Sequence, residues 1–548
     1  MTNLPEPFAH NYSFAPKFKK SAVYFSMEFA IDQALKTYSG GLGFLAGSHM
    51  RSAYQLKQNL IGIGMLWKFG YYDQVRKTDN SMEVQFREKM YSFLQDTKIR
   101  FQIIIQNRPI WVAAYYLSPE TFGTVPMFFL TTDTDGNDEW ARSLSYHLYD
   151  ADATKKVAQC MILGIGGATF LDKINYSPEV YHLNEAHALS AAFYLYRQLG
   201  DVNKLREKLV FTTHTPEEAG NEKHDFSMLE SLNFFAGVPS HEIRKIGGIQ
   251  DNIFNHSLVA LRLSRKSNAV SKLHGEVSRK MWGDFDGICD ITHVTNAQNS
   301  LYWADNILEK ARNKKDLKTI SNRKIELKTE LFKTVADQVG KIFDPKVFTI
   351  VWARRFAAYK RPDLLTRNAE RFEKLMKNTK YPIQFIWAGK PYPFDFGAIN
   401  IFNKLYYLSH LYPNMAVLTG YELGLSKLLK DGSDAWLNTP IVTREASGTS
   451  GMTAAMNASL NFSTYDGWIC EFANANNSFV VPVVQNSPEQ WRDENDMNNM
   501  LDMLENTILP MYYEQPEKWQ QMVLQSMNDV NAFFDSDRMA TEYYEKVY

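Results

Sequence analysis

Four cations stand close together within residues 354–361, directly after the apolar segment FTIVWA: Arg354, Arg355, Lys360 and Arg361. A buried strand delivers the residues that follow it to the end of a sheet, where ligands bind in α/β proteins. Arginine makes bidentate contacts to phosphate oxygens, and lysine adds a mobile point charge. The motif therefore predicts a phosphate site, and a structural cluster of ion pairs is the alternative.

A second motif combines a carboxylate with small residues. Glu445 is followed by Ala446, Ser447 and Gly448, and the sequence TSGM then opens a helical pattern. Small residues expose backbone amides at a helix start, where the positive end of the helix favours oxygen ligands. The carboxylate of Glu445 can accept hydrogen bonds from sugar hydroxyls, while the amides hold phosphate or hydroxyl oxygens. The motif predicts a sugar or phosphate loop, with a helix-capping turn as the alternative.

Glycines and histidines supply weaker candidates. The run SGGLG, residues 39–43, places Gly41 and Leu42 at a helix start, where backbone amides can approach an anion. A plain turn explains such glycines equally well. His214 and both histidines of the segment HLNEAH follow strand-like runs, so each is either a catalytic group or a hydrogen-bonded core residue. Their spacing matches no metal-binding motif.

The elements that must position these motifs alternate between apolar runs typical of buried strands and segments with helical spacing. The strand-like runs include SAVYFSM, LIGIGMLW, LVFTTHT, FTIVWA and IQFIWAG. Such alternation predicts parallel βαβ units and the α/β class. We expect an N-terminal domain over 1–305, a charged helical connection over 306–343, a C-terminal domain over 344–528, and a C-terminal helix over 529–548 that packs across both domains.

Doubly wound domains bind ligands at the carboxyl ends of their strands. Each motif above stands at such a position, either after a strand or before a helix. We therefore expect Gly41, His214, Arg355, Lys360 and Glu445 to line one cleft between two facing domains.

The composition excludes some classes of partner and indicates the compartment of the protein. Lysine and arginine number 60 against 61 aspartate and glutamate, a formal net charge of -1, so no global field favours nucleic acid or an anionic membrane. The first residues lack the apolar core of a signal peptide, and no segment approaches the ~18 consecutive apolar residues of a membrane span. The three cysteines form no CxxC pair and suit a reducing compartment. We expect a cytoplasmic protein without a metal.

Taken in order along the chain, these motifs resemble the glycogen/starch/maltodextrin phosphorylase family, particularly its short bacterial α-glucan branch. The matching segments span residues 24–452 and include YFSMEF, YSGGLGFLAG, YHLNEAHA, FTTHTPEEAG, HVTNAQNSLYW, ARRFAAYKRPDLL, IWAGKPYP and EASGTSGM, and YDGWICEF extends them. The resemblance implies the GT-B architecture of two facing Rossmann-like domains. It also implies a hexosyltransferase that moves glucose between an α-1,4-glucan or maltooligosaccharide and phosphate, giving glucose 1-phosphate with retention at the anomeric carbon.

The resemblance carries roles onto the N-terminal motifs. Gly41 and Leu42 belong to the loop that approaches the substrate phosphate or sugar. His214 flanks the transferred glucose, with its backbone carbonyl near the anomeric centre, and Asn296 helps to hold the sugar. Family members are often dimers, so a homodimer is an expected assembly, although no sequence pattern identifies an interface.

In the C-terminal half, the resemblance makes Arg355 and Lys360 the phosphate-binding cations. It places Arg354 where the family can use another cation near its cofactor, and Tyr359 beside the sugar. Residues 445–448 match the loop that binds glucose hydroxyls and phosphate. The expected catalytic set is His214, Arg355, Lys360 and Glu445.

Thr453 is the main departure from the family pattern. The family has at this position the lysine that forms a Schiff base with pyridoxal phosphate, and a hydroxyl cannot form an imine. We therefore expect no covalently bound cofactor. Three alternatives stay open: pyridoxal phosphate binds noncovalently, the distal phosphate of a nucleotide-sugar donor takes its place, or the fold has lost catalysis and only binds glucan.

Three Asn-Gly pairs of the family are Asn-Ala pairs here, with alanines at Ala269, Ala297 and Ala458. If the family's glycines have positive φ, alanine strains these loops.

Overall fold

Parallel β-sheets covered by helices organise the chain, which a computed structural model describes over residues 4–484 and 488–548. The contacts divide it into two units. Unit 1 comprises Met1–Tyr72, Phe86–Asn299 and Ser536–Tyr548, and unit 2 comprises Asp73–Gln85 and Ser300–Asp535. The α/β class predicted from the sequence is confirmed. The facing arrangement and the cleft stay predictions.

The strands are β1 (Ala22–Phe25), β2 (Leu60–Met65), β3 (Asp73–Arg76), β4 (Met82–Gln85), β5 (Gln95–Ile105), β6 (Arg108–Leu117), β7 (Met127–Thr131), β8 (Val180–Asn184), β9 (Leu209–Thr212), β10 (Lys223–Asp225), β11 (Ile253–Asn255), β12 (Lys266–Ala269), β13 (Ile291–His293), β14 (Phe348–Ala353), β15 (Ile383–Ala388), β16 (Met415–Leu418), β17 (Ala435–Asn438), β18 (Leu460–Thr464) and β19 (Ser478–Val481).

The α-helices are α1 (Gly41–Gln55), α2 (Pro119–Phe122), α3 (Glu139–Ser143), α4 (Ala153–Met161), α5 (Gly167–Lys173), α6 (Ser190–Leu199), α7 (Val202–Lys208), α8 (Phe226–Leu232), α9 (Ser240–Gly247), α10 (His256–Leu263), α11 (Lys272–Trp282), α12 (Ser300–Trp303), α13 (Asn306–Lys314), α14 (Leu317–Val339), α15 (Ala369–Met376), α16 (Phe396–Ser409), α17 (Leu423–Asp431), α18 (Ser450–Met456), α19 (Ile469–Phe472), α20 (Arg492–Met503), α21 (Leu509–Glu514), α22 (Pro516–Phe533) and α23 (Ser536–Glu542).

The main sheet of unit 1 has the order β13-β12-β9-β8-β1-β2-β7-β6-β5. Pairing is parallel from β13 to β7, whereas β6 and β5 are antiparallel additions at one edge. Every residue of β1, β2, β7, β8 and β9 is buried. Because successive side chains of a strand point to opposite faces, complete burial means that both faces of the sheet are covered.

The sheet of unit 2 is parallel throughout, in the order β16-β15-β14-β17-β18-β19. The chain enters at β14, adds β15 and β16 on one side, and then crosses to add β17, β18 and β19 on the other. Unit 1 behaves in the same way, since β1 lies between β2 and β8. The loops that follow β14 and β17, like those that follow β1 and β8, therefore diverge at a topological switch point, where open α/β sheets bind ligands.

One hairpin, β3–β4, belongs to unit 2 although unit 1 flanks it in sequence. Gln74 donates through Nε2 to the carbonyl of Gly389 at 2.9 Å and accepts through Oε1 from the amide of Gly420 at 3.0 Å. The amide of Met82 donates to Asn403 Oδ1 at 2.9 Å. These bonds tie the hairpin to the ends of β15 and β16 and to α16.

No helix within the described ranges combines the length and the apolar character that a membrane crossing requires.

Ala458 alone of the three Asn-Ala alanines has a positive φ, at 58°. Ala269 is the last residue of β12, and Ala297 also lies outside the positive-φ region. The left-handed conformation costs a non-glycine residue about 1–2 kcal/mol. The strain expected from the sequence is therefore present after α18 and absent at the other two positions.

Replacement of Ala458 by glycine should relieve this strain. Ala458→Gly and Ala269→Gly both remove a buried methyl group and add the same flexibility to the unfolded chain. The Ala458 variant should therefore keep a free energy of unfolding about 1–2 kcal/mol above that of the Ala269 variant in urea titrations. Equal losses in the two variants would show that the backbone at residue 458 is not strained.

Candidate functional site

Arg354 and Lys360 meet Glu445 at the switch point of unit 2. Because β14 ends at Ala353, Arg354 is the first residue beyond the strand, and a 3₁₀ turn at Ala358–Lys360 returns Lys360 to the same edge. Lys360 Nζ lies 2.6 Å from Glu445 Oε2, and Arg354 Nη1 lies 3.3 Å from the same oxygen. One carboxylate oxygen thus holds two cations, and we call Arg354, Lys360 and Glu445 the cation cluster.

The cation cluster is largely removed from water. The side chains of Arg354, Lys360 and Glu445 are 7%, 8% and 12% exposed. Burial opposes ionisation of Glu445, but Lys360 and then Arg354 outweigh it and hold the pKa of this carboxyl below its usual value. The exposed Arg355 acts in the same direction. The net charge of these four groups is positive, as a site for an anion requires.

Two polar atoms of the loop region lack a hydrogen-bond partner. Arg354 Nε and Ser447 Oγ are buried and unpartnered among the residues that the structure describes. A buried donor without a partner costs about 1–3 kcal/mol, so native proteins rarely keep one without a functional reason. Guanidinium and hydroxyl donors next to a lysine match the oxygens of a phosphate group.

Asp466 holds the loop that carries Glu445. Asp466 Oδ2 accepts from the amide of Glu445 at 2.8 Å, and Oδ1 accepts from the amide of Gly467 at 2.9 Å. The amide of Trp468 donates to the carbonyl of Ser447 at 2.8 Å. A side chain at Gly467 is excluded, because its φ is +65° and a Cβ there would lie 2.5 Å from the same carbonyl oxygen. Burial raises the pKa of Asp466 to about 7.

Sequence reasoning assigned no role to Asp466, although the segment YDGWICEF extended the family match. The available signal was an Asp-Gly pair shortly after the strand β18. A second buried ion pair at this edge of the sheet was also missed, in which Lys390 Nζ lies 2.9 Å from Glu422 Oε1.

Thr453 lies inside α18, immediately after this loop. Its side chain is almost fully buried, and Oγ1 donates to the carbonyl of Ser450 at 3.0 Å. Met452 and Ala454 are buried on either side. This segment offers no amine, so the residues present do not fit a pyridoxal phosphate bound as an imine.

In unit 1 the glycine turn is held by Glu28, which follows β1. Glu28 Oε2 accepts from the amides of Ser39 at 2.7 Å and Gly40 at 3.0 Å, and Oε1 accepts from Ser39 Oγ at 2.8 Å and Tyr149 Oη at 2.6 Å. Two amides of the run SGGLG are therefore already bound to a carboxylate of the protein. Gly41 stays exposed, and a Cβ built there would meet no atom within 4 Å, so packing does not require this glycine.

His214 follows β9 at the same edge. Its Nε2 donates to Asn184 Oδ1 at 2.7 Å, and its backbone amide donates to the carboxylate of Glu185. Burial lowers the pKa of His214 to about 3, so the ring is neutral at neutral pH. With Nε2 protonated toward Asn184, Nδ1 carries the lone pair.

Glu185 is a further residue that sequence reasoning missed. Its φ of 67° and ψ of 172° lie in a region that residues other than glycine rarely occupy. Burial raises its pKa to about 7, against the hydrogen bonds from the amide of His214 and from Thr215 Oγ1. Strained backbone and a buried acid at the end of a central strand are typical of functional sites. The signal in the sequence was an acid in the segment HLNEAH, which directly follows β8.

The remaining predicted residues divide into three groups. Asn296 is buried, and its Oδ1 has no hydrogen-bond partner within the described chain, which suits an amide that faces a ligand. Leu42 and Tyr359 are half-buried, and the Tyr359 ring lies 4.8 Å from Lys360 Nζ. His182 is a core residue, because it bridges Tyr548 Oη and Thr212 Oγ1 at 2.7 Å each.

The structure thus gathers the predicted residues within each unit. Unit 2 brings together Arg354, Lys360 and residues 445–448, and unit 1 brings His214 to Glu185 and Asn184. Whether all the predicted residues share one cleft stays a prediction. Within the described ranges, no group of three or more histidine, cysteine, aspartate or glutamate side chains has a geometry that could hold a metal ion.

Comparison with known proteins identifies the family of the chain. A family profile described as carbohydrate phosphorylase matches residues 292–507. An uncharacterized protein of Methanocaldococcus jannaschii is 45% identical over 96% of this chain and 100% of its own length. The maltodextrin phosphorylase of Thermococcus litoralis is 31% identical over 99% of this chain and 72% of its own length. The glycogen phosphorylase of Aquifex aeolicus is 28% identical over 97% and 86%.

The chain belongs to the carbohydrate phosphorylase family, as its motifs predict.

Replacing Glu185 by glutamine should change how stability depends on pH. The pKa of Glu185 is raised from 4.5 to about 7 in the folded protein. Between these values the folded state holds more protons than the unfolded state, so this group lowers the free energy of unfolding as pH rises. Glu185→Gln removes this loss and should be more stable relative to wild type at pH 8 than at pH 5, by on the order of 2 kcal/mol. Urea titrations at both pH values measure the difference.

The exposed Glu276 provides the matched control, since Glu276→Gln should change the free energy of unfolding by the same amount at pH 5 and pH 8. A constant difference between Glu185→Gln and wild type from pH 5 to pH 8 would contradict a protonated Glu185.

Proposed function

We propose that this protein is a retaining α-glucan phosphorylase-like glucosyltransferase that moves glucose between the end of an α-1,4-glucan and inorganic phosphate. The observation that carries the proposal is the cation cluster, where a buried arginine and lysine stand beside donors without acceptors. Phosphorylase names among the relatives support the same reaction class.

The cations and the carboxylate of unit 2 have different proposed roles. Arg354, Arg355 and Lys360 bind the phosphate oxygens and neutralise the charge that develops there. The carboxylate of Glu445 accepts hydrogen bonds from glucose hydroxyls and orients the sugar. Asp466 keeps this carboxylate in position through the backbone amide of Glu445. A fixed orientation of sugar and phosphate supplies much of the rate enhancement in such a transfer.

In unit 1, the neutral ring of His214 and the amide of Asn296 are the groups proposed to contact the sugar. Neither carries charge at neutral pH, which suits a neutral glucan. Gly41 and Leu42 form the turn proposed to approach the ligand, and its exposed glycine leaves room for a backbone contact.

A nucleotide sugar is the second candidate donor. Thr453 favours it, because a phosphorylase with no amine at this position lacks the family's covalent anchor for pyridoxal phosphate. The distal phosphate of a nucleotide sugar can bind the same arginines and lysine. An inactive glucan-binding protein is the third candidate, and it retains the sugar contacts without turnover.

Product analysis separates the three candidates. Purified protein is incubated with maltodextrin and either inorganic phosphate or a nucleotide glucose donor. Formation of glucose 1-phosphate from phosphate is the expected result. Chain extension from the nucleotide donor, with no reaction of phosphate, would show that the donor is a nucleotide sugar. Maltodextrin binding without either product would show that the protein only binds glucan.

Removal of one cation should weaken phosphate selectively. Arg355→Ala and Lys360→Ala each remove a charged hydrogen bond worth about 1.5–3 kcal/mol, so the Kd for inorganic phosphate should rise roughly 10- to 100-fold. Affinity for maltopentaose, which is neutral, should change by less than about 3-fold in Arg355→Ala. Isothermal titration calorimetry measures both ligands, and Lys374→Ala, at an exposed lysine, is the control.

Equal losses of phosphate and maltopentaose affinity in a folded Arg355 variant would refute this division of roles.

The purified protein should carry no covalently bound pyridoxal phosphate at residue 453. Reduction with borohydride followed by peptide mass spectrometry should find no phosphopyridoxyl group on the peptide that contains Thr453, since an imine requires a primary amine. Thr453→Lys is the matched variant, and an adduct there would mean that space for the group persists. A stoichiometric adduct on another lysine of the unmodified protein would overturn the expectation that no pyridoxal phosphate is covalently bound.

A further inference from the structure

Glu445 is bound by the same cations that the proposed function assigns to phosphate. Both Lys360 Nζ and Arg354 Nη1 approach Glu445 Oε2, at 2.6 and 3.3 Å. A phosphate that recruits these groups must draw them away from Glu445 or share them with it. Phosphate and Glu445 therefore compete for the same positive charge.

The competition matters because Glu445 is largely buried. A buried carboxylate whose cations are withdrawn keeps its charge but loses its compensation, which is costly. The amide of Glu445 is bound to Asp466, which holds the backbone of this residue beside the cations. New donors must reach Glu445 when phosphate takes the cations.

Sugar hydroxyls are such donors. They are neutral, so they compensate the carboxylate without competing with the cations for phosphate. Each hydrogen bond from a hydroxyl to Glu445 also reduces the negative charge on the oxygen that binds Lys360 and Arg354. It thereby weakens both ion pairs. The sugar therefore compensates the carboxylate of the cation cluster, and phosphate compensates its two cations.

We infer that Glu445 couples the two substrates: binding of the glucan end releases Arg354 and Lys360 for phosphate, and phosphate in turn releases Glu445 for the glucan. The coupling rests on the proposed function of this site. It is reciprocal by thermodynamic necessity, so each ligand strengthens the other by the same factor. The protein then favours the state in which both substrates are bound over either state with one.

The test is a set of calorimetric titrations with inorganic phosphate, with and without saturating maltopentaose whose glycosidic oxygens are replaced by sulfur, so that the two ligands bind without reacting. In the wild-type protein the Kd for phosphate should fall about 5- to 50-fold when maltopentaose is present, within the usual range of coupling between sites. Titration of maltopentaose with and without saturating phosphate should give the same factor.

Glu445→Gln removes the competing charge and keeps the shape of the side chain. This variant should bind phosphate more tightly than wild type without sugar, and maltopentaose should then change its phosphate Kd by less than about 2-fold. Glu489→Gln, at an exposed carboxylate of unit 2, should retain the wild-type coupling factor.

Glu445→Asp provides a second variant that keeps the negative charge if glutamine impairs folding. It withdraws the carboxylate by one methylene, about 1.5 Å, so phosphate affinity without sugar should rise and the coupling factor should fall below that of wild type.

Phosphate binding that is insensitive to maltopentaose in wild type, or coupling that persists unchanged in Glu445→Gln, would overturn the inference and leave the proposed function standing. Absence of phosphate binding under every condition would instead overturn the proposed function and, with it, the coupling.

Discussion

A buried carboxylate shared by two cations, Glu445 with Lys360 and Arg354, joins the loops that follow β14 and β17. None of the three charges is stable alone at such low exposure, so each requires the other two. The sheet satisfies this requirement because β14 and β17 are neighbours whose following loops diverge at the switch point. Strand order thus determines that the cations and the carboxylate, about 90 residues apart in sequence, meet.

Unit 1 also has acids at its switch point, and different groups bind them. Strands β1 and β8 are neighbours, and the acids that follow them, Glu28 and Glu185, bind backbone amides. Glu28 fixes the glycine turn and Glu185 fixes the backbone at His214. The acids at the switch point of unit 1 are thus compensated by neutral groups, and the acid of the cation cluster in unit 2 is compensated by cations.

The sequence predicted the α/β class and the family because both depend on local signals: apolar runs that end at turn residues, and long motifs with specific letters. It also predicted the cations after β14 and the small-residue loop after β17. It missed Asp466 and Glu185, because their roles arise from backbone amides and burial that only the folded chain supplies. It predicted that backbone amides of the run SGGLG approach an external anion, and Glu28, 11 and 12 residues earlier, binds the amides of Ser39 and Gly40. Of the three alanines in Asn-Ala pairs, only the backbone geometry could single out Ala458 as strained.

The cation cluster at the switch point of unit 2 is the proposed phosphate site. This assignment is tested by a crystal structure of the protein with inorganic phosphate and the sulfur-linked maltopentaose. If the assignment is correct, the structure contains a phosphate whose oxygens lie within hydrogen-bond distance of Lys360 Nζ and of the guanidinium of Arg354, with Ser447 Oγ donating to an oxygen of the bound ligands. A structure in which maltopentaose is bound, phosphate is present at saturating concentration, and Lys360 and Arg354 still contact only Glu445 would contradict it.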